Sequence, residues 1–339
     1  MSVVGIAVAF IFFCLLVLGH EFGHFVAAKS LGVRVMEFSM GMGPLLWKKQ
    51  KGETQYSARA IPIGGFCKLE GEDGDEDRDN PRSFSNQPAW AKILILIMGS
   101  VMNVIIGLFI LTAVFLITGS YTTVVGSVME GYPAAAAGLA SGDRVVSVAG
   151  EPVDEWEDIL RLLAAYDGEG TIELEAERNG EIMSFSMEPK YDVEEGRYLF
   201  GISSKLVHSS LKSIKEAFRT AGGMMLAMKQ FFVNLFSGRV QSQDVVGIVG
   251  IMAVVGEQAK HGLSMVIYIM GIISLNLAIV NMLPFPALDG GRVLFVILRK
   301  ISGGRISDKA EQIVNAAGFV LLMALMVFLI FKDTFNLLR

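Results

Sequence analysis

The sequence predicts a polytopic α-helical membrane protein with about four transmembrane helices, short strands and hairpins between the first two, and one inserted α+β domain. Three observations predict it. The 339-residue chain is 52% hydrophobic with mean hydropathy +0.51, above the ~45–50% usual for soluble domains even when Gly is counted. The apolar excess falls into four blocks, each long enough for a span of about 20 residues. Between the second and third blocks lie about 80 residues of soluble character.

The first block covers about 3–31. A secretory signal shows a basic start and a small-residue cleavage site. MSVVGIAVAF holds no Lys or Arg, so the block reads as a retained transmembrane helix. Segment 32–90 opens with alternating apolar and polar residues, VRVMEFSMG and TQYSARAIPIGGFCKLEG, which predict short strands and hairpins. It then turns acidic, EGEDGDEDRDNPRS, a solvated loop without the ordered spacing of a calcium site. The second block is about 91–119. Segment 121–202 holds strand-like TTVVGSVM, DRVVSVAG, TIELEAERNG and EIMSFSMEP, and a helix-like DEWEDILRLLAAY.

Residues 208–236 read as an amphipathic helix, with Leu211, Ile214, Phe218, Met225, Phe232 and Leu235 at helical spacing among lysines and Arg219. Such a helix fits the membrane interface or packing on the inserted domain. QDVVGIVGIMAVVGEQAKHG is barely long enough to span and reads as re-entrant or interfacial. The last two blocks are about 263–283 and 312–331. The expected domains are therefore 1–119, 120–205, 206–262 and 263–339.

Net charge −5 gives no reason to expect nucleic acid as a partner. Two cysteines, Cys14 and Cys67, suggest no disulfide framework. Loop 32–90 carries eight Lys/Arg, with Lys92 just beyond, and loop 284–311 carries five. Positive charge in short loops marks the cytoplasmic side. The inserted domain and both termini are then expected outside.

GHEFGH, at the end of the first block, places His20 and His24 at i and i+4 on one helical face, able to hold one Zn2+. Glu21 between them can act as general base toward an activated water. Ionisable groups inside a span are costly and functional by default. A hydrolytic zinc site uses three protein ligands. His208 and His261 are candidates by type, but both lie beyond the far ends of the apolar blocks. Asp289, in NMLPFPALDGGR, is the better third ligand. It follows the third block, which like the first ends on the cytoplasmic side, and LPFP breaks helix geometry there.

PAAAAGLASGDRVVSVAGEPV (Pro133 to Val153) resembles the PDZ signature, in which a Gly-Leu-x-x-Gly-Asp turn feeds a strand. PDZ domains bind extended peptide ends by strand addition. With HEFGH in the first span and NMLPFPALDGGR after a later one, the chain resembles the site-2 protease family of intramembrane zinc metalloproteases, most of all its bacterial RseP/RasP-like branch. The resemblance implies His20, His24 and Asp289 as Zn2+ ligands and Glu21 as catalytic base. It implies a multi-pass protein of the bacterial cytoplasmic membrane, with its active site toward the cytoplasm. Its partners would be the lipid bilayer and single-pass membrane proteins already trimmed by an upstream site-1 protease, such as anti-sigma factors or remnant signal peptides. IPIGGFCKLEG (Ile61 to Gly71) matches the family's membrane-associated β-hairpin, whose edge strand pairs with the unwound substrate, assigning Gly64, Gly65 and Phe66 to substrate binding. Asn281, Pro284 and Pro286, in Asn-x-x-Pro-x-Pro, match a second substrate-binding position.

The chain departs from the family at MGSVMN, where Ser100 replaces a proline of Ala-Gly-Pro-x-x-Asn, and at QDVVGI, where Ser-Gly-Pro-Val-Gly-Ile is usual. It also has room for one PDZ-like module where many relatives carry two. Two other classes compete. A proteolytically inactive PDZ-containing adaptor would not need the full His-His-Asp set with a base. A metal transporter would spread its ligands along several spans.

Overall fold

The computed structural model describes residues 3–72, 80–166, 170–192, 196–239, 245–303 and 305–337. Half of the acidic run expected as a loop, residues 73–79, lies outside them. So do residues 240–244, the last two of which begin the segment read as re-entrant or interfacial. The described residues divide into two compact units, 1–112 with 217–339, and 113–216.

Long apolar sequence free of Pro makes the major helices. The chain runs through α1 (Val3–Ser30), β1 (Val35–Lys51), β2 (Thr54–Leu69) and α2 (Ala89–Thr118). After the inserted unit come α5 (Ser210–Phe236), α6 (Ile248–Gln258), α7 (Leu263–Asn281), α8 (Asp289–Ile301) and α9 (Asp308–Leu337). Among the described residues, four stretches are long and apolar enough to cross a membrane: Phe10–Ser30, Ala89–Thr118, Leu263–Asn281 and Lys309–Asn336. The 11 residues of α6 rise only about 16 Å, well short of a ~30 Å hydrocarbon core.

Small residues set the helix spacing in the first unit. A side chain at Gly23 would collide with the Met98 carbonyl, so α1 and α2 meet backbone to backbone. A Cβ at Gly107 would stand 2.8 Å from Leu275 Cγ, and one at Gly271 2.9 Å from Leu111 Cδ2, so leucines of each helix fill the space the other's glycine leaves. The C-terminal end of α1 and the N-terminal end of α2 close over Ala27, Ala28, Val33, Val35, Leu69, Phe84, Ile95 and Leu96.

The hairpin differs from the short strands expected. Glu37 through Met40 face Lys68 through Gly65 on one side and Gln55 through Ala58 on the other, while Trp47 through Lys51 face Ala58 through Thr54. Each strand is thus folded back on itself, and among the described residues no further strand pairs with 65–69. A second correction concerns 284–311, expected as a loop. Val293, Leu294, Ile297, Leu298 and Ile301 recur at helical spacing there and form one face of α8.

In the second unit β3 (Val125–Val128) leads to α3 (Pro133–Ala136), β4 (Arg144–Val148), β5 (Glu151–Pro152) and α4 (Trp156–Ala164). Then follow β6 (Ile172–Arg178), β7 (Glu181–Met187), β8 (Lys190–Asp192), β9 (Arg197–Leu199) and β10 (Ile202–Ser204). One sheet has the order β5-β4-β6-β7 and a second pairs β10 with β3. They enclose a core that includes Val125, Val148, Ile159, Leu174, Ala176 and Phe200. The Gly-Leu-x-x-Gly-Asp turn is fixed by Asp143, which accepts from the Ala140 amide at 2.7 Å and from Arg178 Nε and Nη2, each at 2.7 Å.

Candidate metal centre and active site

His20 and His24 are a helical turn apart on α1, so their rings share one face. They stand nearly perpendicular, with centroids 4.8 Å apart. Asp289 reaches them from the first turn of α8. His20 Nε2 lies 2.9 Å from Asp289 Oδ2 and 3.2 Å from His24 Nε2, and His24 Nε2 lies 3.4 Å from the same carboxylate oxygen. Among the described residues these three form the one group of His, Cys, Asp or Glu donors spaced to share an ion. A tetrahedral zinc with bonds of about 2.0–2.1 Å separates its ligands by about 3.3–3.4 Å, so the donor triangle fits one face of such a site. Neither His208 nor His261 belongs to that group. His208 Nδ1 bonds the Leu116 carbonyl oxygen at 3.0 Å.

Helix α2 forms the floor. A Cβ at Gly99 would collide with His24 Nε2 and stand 2.7 Å from His20 Cε1. Only a bare backbone lets both imidazoles lie against α2. Sequence reasoning missed Gly99. Its signal was a small residue within a span of bulky ones, the usual mark of close helix approach in membranes. His24 Nδ1 lies 2.8 Å from the Ile95 carbonyl oxygen, which leaves its Nε2 facing Asp289 and His20. Asn103, fully buried on α2, sets its side-chain amide 3.3 Å from His20 Nδ1.

The loop that delivers Asp289 is tightly held. After α7 the chain turns through Pro284 and Pro286, and Ala287 adopts φ 72°. Its amide donates to Asn315 Oδ1 of α9 at 3.1 Å, an anchor the sequence did not reveal. Side chains at Gly290 or Gly291 would collide with carbonyls of Met282, Leu283 and Phe285, so the glycines let α8 begin flush against the loop. Arg292 Nη1 donates to Glu72 Oε1 at 2.5 Å, tying α8 to the segment just past the hairpin.

The structure also brings together several residues expected to bind substrate. Asn281 Nδ2 lies 3.4 Å from His20 Nδ1 and 3.3 Å from its Nε2. A Cβ at Gly65 would stand 2.8 Å from the Ser39 carbonyl oxygen and 3.5 Å from Glu21 Cγ. Strand 65–69 therefore passes beside Glu21. Gly64 forms the preceding turn with φ 86°, and the Phe66 ring lies 5.1 Å from the Arg59 guanidinium carbon, away from the donor triangle's own contacts. Pro286 packs against Gly318 of α9.

In the inserted unit a cleft of about 500 Å³ runs between α4 and β10, lined by Trp156, Ile159, Leu160, Leu163, Phe200 and Ile202 among others.

Known proteins share this sequence along its length. A Clostridium acetobutylicum protein named "Putative zinc metalloprotease" is 36% identical over 336 residues, covering 98% of each chain. A Clostridium perfringens protein of the same name is 34% identical over 328 residues, covering 96% of this chain and 97% of its own. The PDZ domain of the SdrC-like protein from Listeria monocytogenes superposes with TM-score 0.22 and 17% identity, over 25% of this chain and 86% of that domain. The model of Peptidase family M50 matches residues 8–325, a stretch that holds His20, Glu21, His24 and Asp289, and the chain belongs to that family.

Proposed function

We propose that this M50 zinc metalloprotease works within the bilayer, cutting transmembrane segments of single-pass membrane proteins at a zinc held by His20, His24 and Asp289. One observation carries the reading: three donors converge at ligand spacing, and two of them, with Glu21 between, sit on a helix apolar enough to cross a membrane. When bound there, zinc supplies a Lewis acid that makes water nucleophilic near neutral pH and polarises the scissile carbonyl.

The chain's own residues do the rest. Glu21 takes the proton of the attacking water and passes it to the leaving amide nitrogen. Asn281, whose amide reaches the His20 ring, donates to the carbonyl oxygen as negative charge develops on it. A helical substrate must unwind before its backbone reaches the donors. The free edge of strand 65–69 offers N–H and C=O groups to hold the opened segment, with Gly64, Gly65 and Phe66 shaping the approach. Pro284 and Pro286 end α7 and turn the chain toward Asp289.

The cleft between α4 and β10 suits an extended peptide end added to β10. That end would be the one exposed when an upstream site-1 protease trims the substrate. Lys/Arg enrichment in 32–90 and 284–311 favours a bacterial cytoplasmic membrane with these loops inside.

The test is cleavage of a single-pass model substrate by the purified enzyme in liposomes, with zinc measured on the same samples. Glu21→Gln should keep its zinc and lose about 10²–10⁴-fold in cleavage rate. Asp289→Ala should lose zinc as well. Cleavage at the wild-type rate by Glu21→Gln would remove the base assignment, and full zinc in Asp289→Ala would remove the third ligand.

A further inference from the structure

We infer that Asn103 positions His20 for metal binding by accepting a hydrogen bond from its Nδ1–H. The inference rests on the zinc reading above. His20 turns Nε2 toward Asp289 and His24, so Nε2 is its ligand atom. A neutral imidazole that binds through Nε2 carries its proton on Nδ1 and needs an acceptor there.

The side chain in the right place is Asn103. Its amide lies 3.3 Å from His20 Nδ1, with Nδ2 facing the ring. That orientation sets donor against donor. It also leaves Asn103 Oδ1 buried with no hydrogen-bond partner. The two amide ends have the same shape and are told apart only by their hydrogen-bond network. Exchanging them places Oδ1 on the Nδ1–H, which gives that proton an acceptor and the amide oxygen a donor.

The neighbouring geometry agrees. His24 has the same arrangement made by backbone, with Nδ1 at 2.8 Å from the Ile95 carbonyl. Both histidines then take their tautomer from α2, one from a main-chain oxygen and the other from a side chain. The turn bearing Asn103 is fixed in its own right, because Ser274 of α7 donates to the Asn103 carbonyl at 2.8 Å. Asn281 cannot substitute. Its Nδ2 is nearly equidistant from both His20 ring nitrogens, which places it over the ring face and out of line with the Nδ1–H. Asn103 is thus a positioning residue, acting on the metal through His20.

The experiment uses the full-length protein in nanodiscs, with zinc affinity read by competition against a chromophoric chelator. Asn103→Leu removes the acceptor at similar volume, and Asn103→Asp keeps an oxygen in place. Asn103→Leu should bind zinc about 10–100-fold more weakly, and Asn103→Asp should stay close to wild type. In the zinc-loaded wild type labelled with 15N-histidine, His20 should show an Nδ1–H proton protected from exchange, and Asn103→Leu should lose that protection. Wild-type affinity in Asn103→Leu would overturn the inference. So would a wild-type spectrum with the His20 proton on Nε2 or in free exchange, a measurement that needs no variant to fold. His20→Ala separates the two readings. If it leaves zinc binding unchanged, the metal centre is misassigned and both fall. If it strips zinc while Asn103→Leu does not weaken it, the role of Asn103 alone falls.

Discussion

Phe200 is 1% exposed and His24 9%, yet the two interiors they belong to are opposites. Around Phe200, in residues 113–216, apolar side chains such as Val125, Leu174 and Ala176 fill the centre, and charged residues such as Glu157, Glu181 and Lys190 face outward. Around His24, in the other unit, the buried groups include His20, Ser100, Asn103 and Ser274, while Phe109, Phe319 and Phe331 are exposed. The first arrangement suits water, where burying apolar area is worth about 25 cal/mol per Å². The second suits lipid, where apolar contact between helices brings little and close packing at small residues takes over. The difference teaches where each unit is vulnerable: at its large apolar side chains in one, at its glycines and buried amides in the other.

The sharpest way to break this comparison is at Gly99. A single methyl there displaces His24 Nε2. Misplacing a reacting group by about an ångström costs on the order of 100-fold in rate, and here a ligand atom itself is displaced. Gly99→Ala should therefore lose at least that much cleavage activity, with weakened zinc binding, while amide exchange in residues 113–216 stays as in wild type. Wild-type activity would mean that α2 can retreat from α1, and that the bare backbone at Gly99 is incidental.

Phe200→Ala makes the opposite cut. Removing a fully buried ring costs about 3–5 kcal/mol, a large part of the stability of a small domain. Hydrogen exchange in the full chain should show β6 and β7 losing protection by that amount. Zinc content should not change. A loss of zinc in this variant would mean that the metal centre depends on the inserted unit being folded.

The same contrast explains what was legible in the sequence. The His20–His24 pair is written in an i, i+4 spacing, and the Asp289 loop in LPFP and the two glycines after Asp289. Both are local patterns with one physical meaning. The amphipathic α5 and the short α4 are equally local. The folded-back hairpin was not legible, because alternation marks strand residues without saying which edges meet. Helix α8 was hidden by its neighbours. The prolines before it advertise a loop, and its apolar positions begin only at Val293. Gly99 and Asn103 match the Gly and Asn of the Ala-Gly-Pro-x-x-Asn pattern but had no role attached to them, and Asn315 was missed, all for a further reason. Each acts across a helix–helix contact with a partner far away in sequence, and nothing beside Gly99 in MGSVMN announces that two imidazoles will rest on it.

The smallest expected effect lies at the turn that feeds β4. The Asp143 carboxylate is held below the usual range by its hydrogen bonds from Arg178. Burial opposes this, and the Ala140 amide and the Arg178 charge add to it. A folded-state value below the unfolded one, near 3.9, stabilises the unit above that pH and is lost as pH falls through the folded value. Unfolding of residues 113–216 should therefore become easier on acidification below about pH 4. Asp143→Asn keeps the shape and removes the charge. It should lower the unfolding temperature of this unit at neutral pH by a few degrees and flatten the acid dependence, with zinc content and cleavage of the model substrate unchanged. Thermal scans of wild type and variant between pH 3 and 7, followed by exchange at β4 and β6, measure both. An acid limb equally steep in the variant would mean that the turn is held by the burial of Leu139 and not by the Asp143–Arg178 pair. The unit would then be governed by apolar packing even at the buried charge of Asp143.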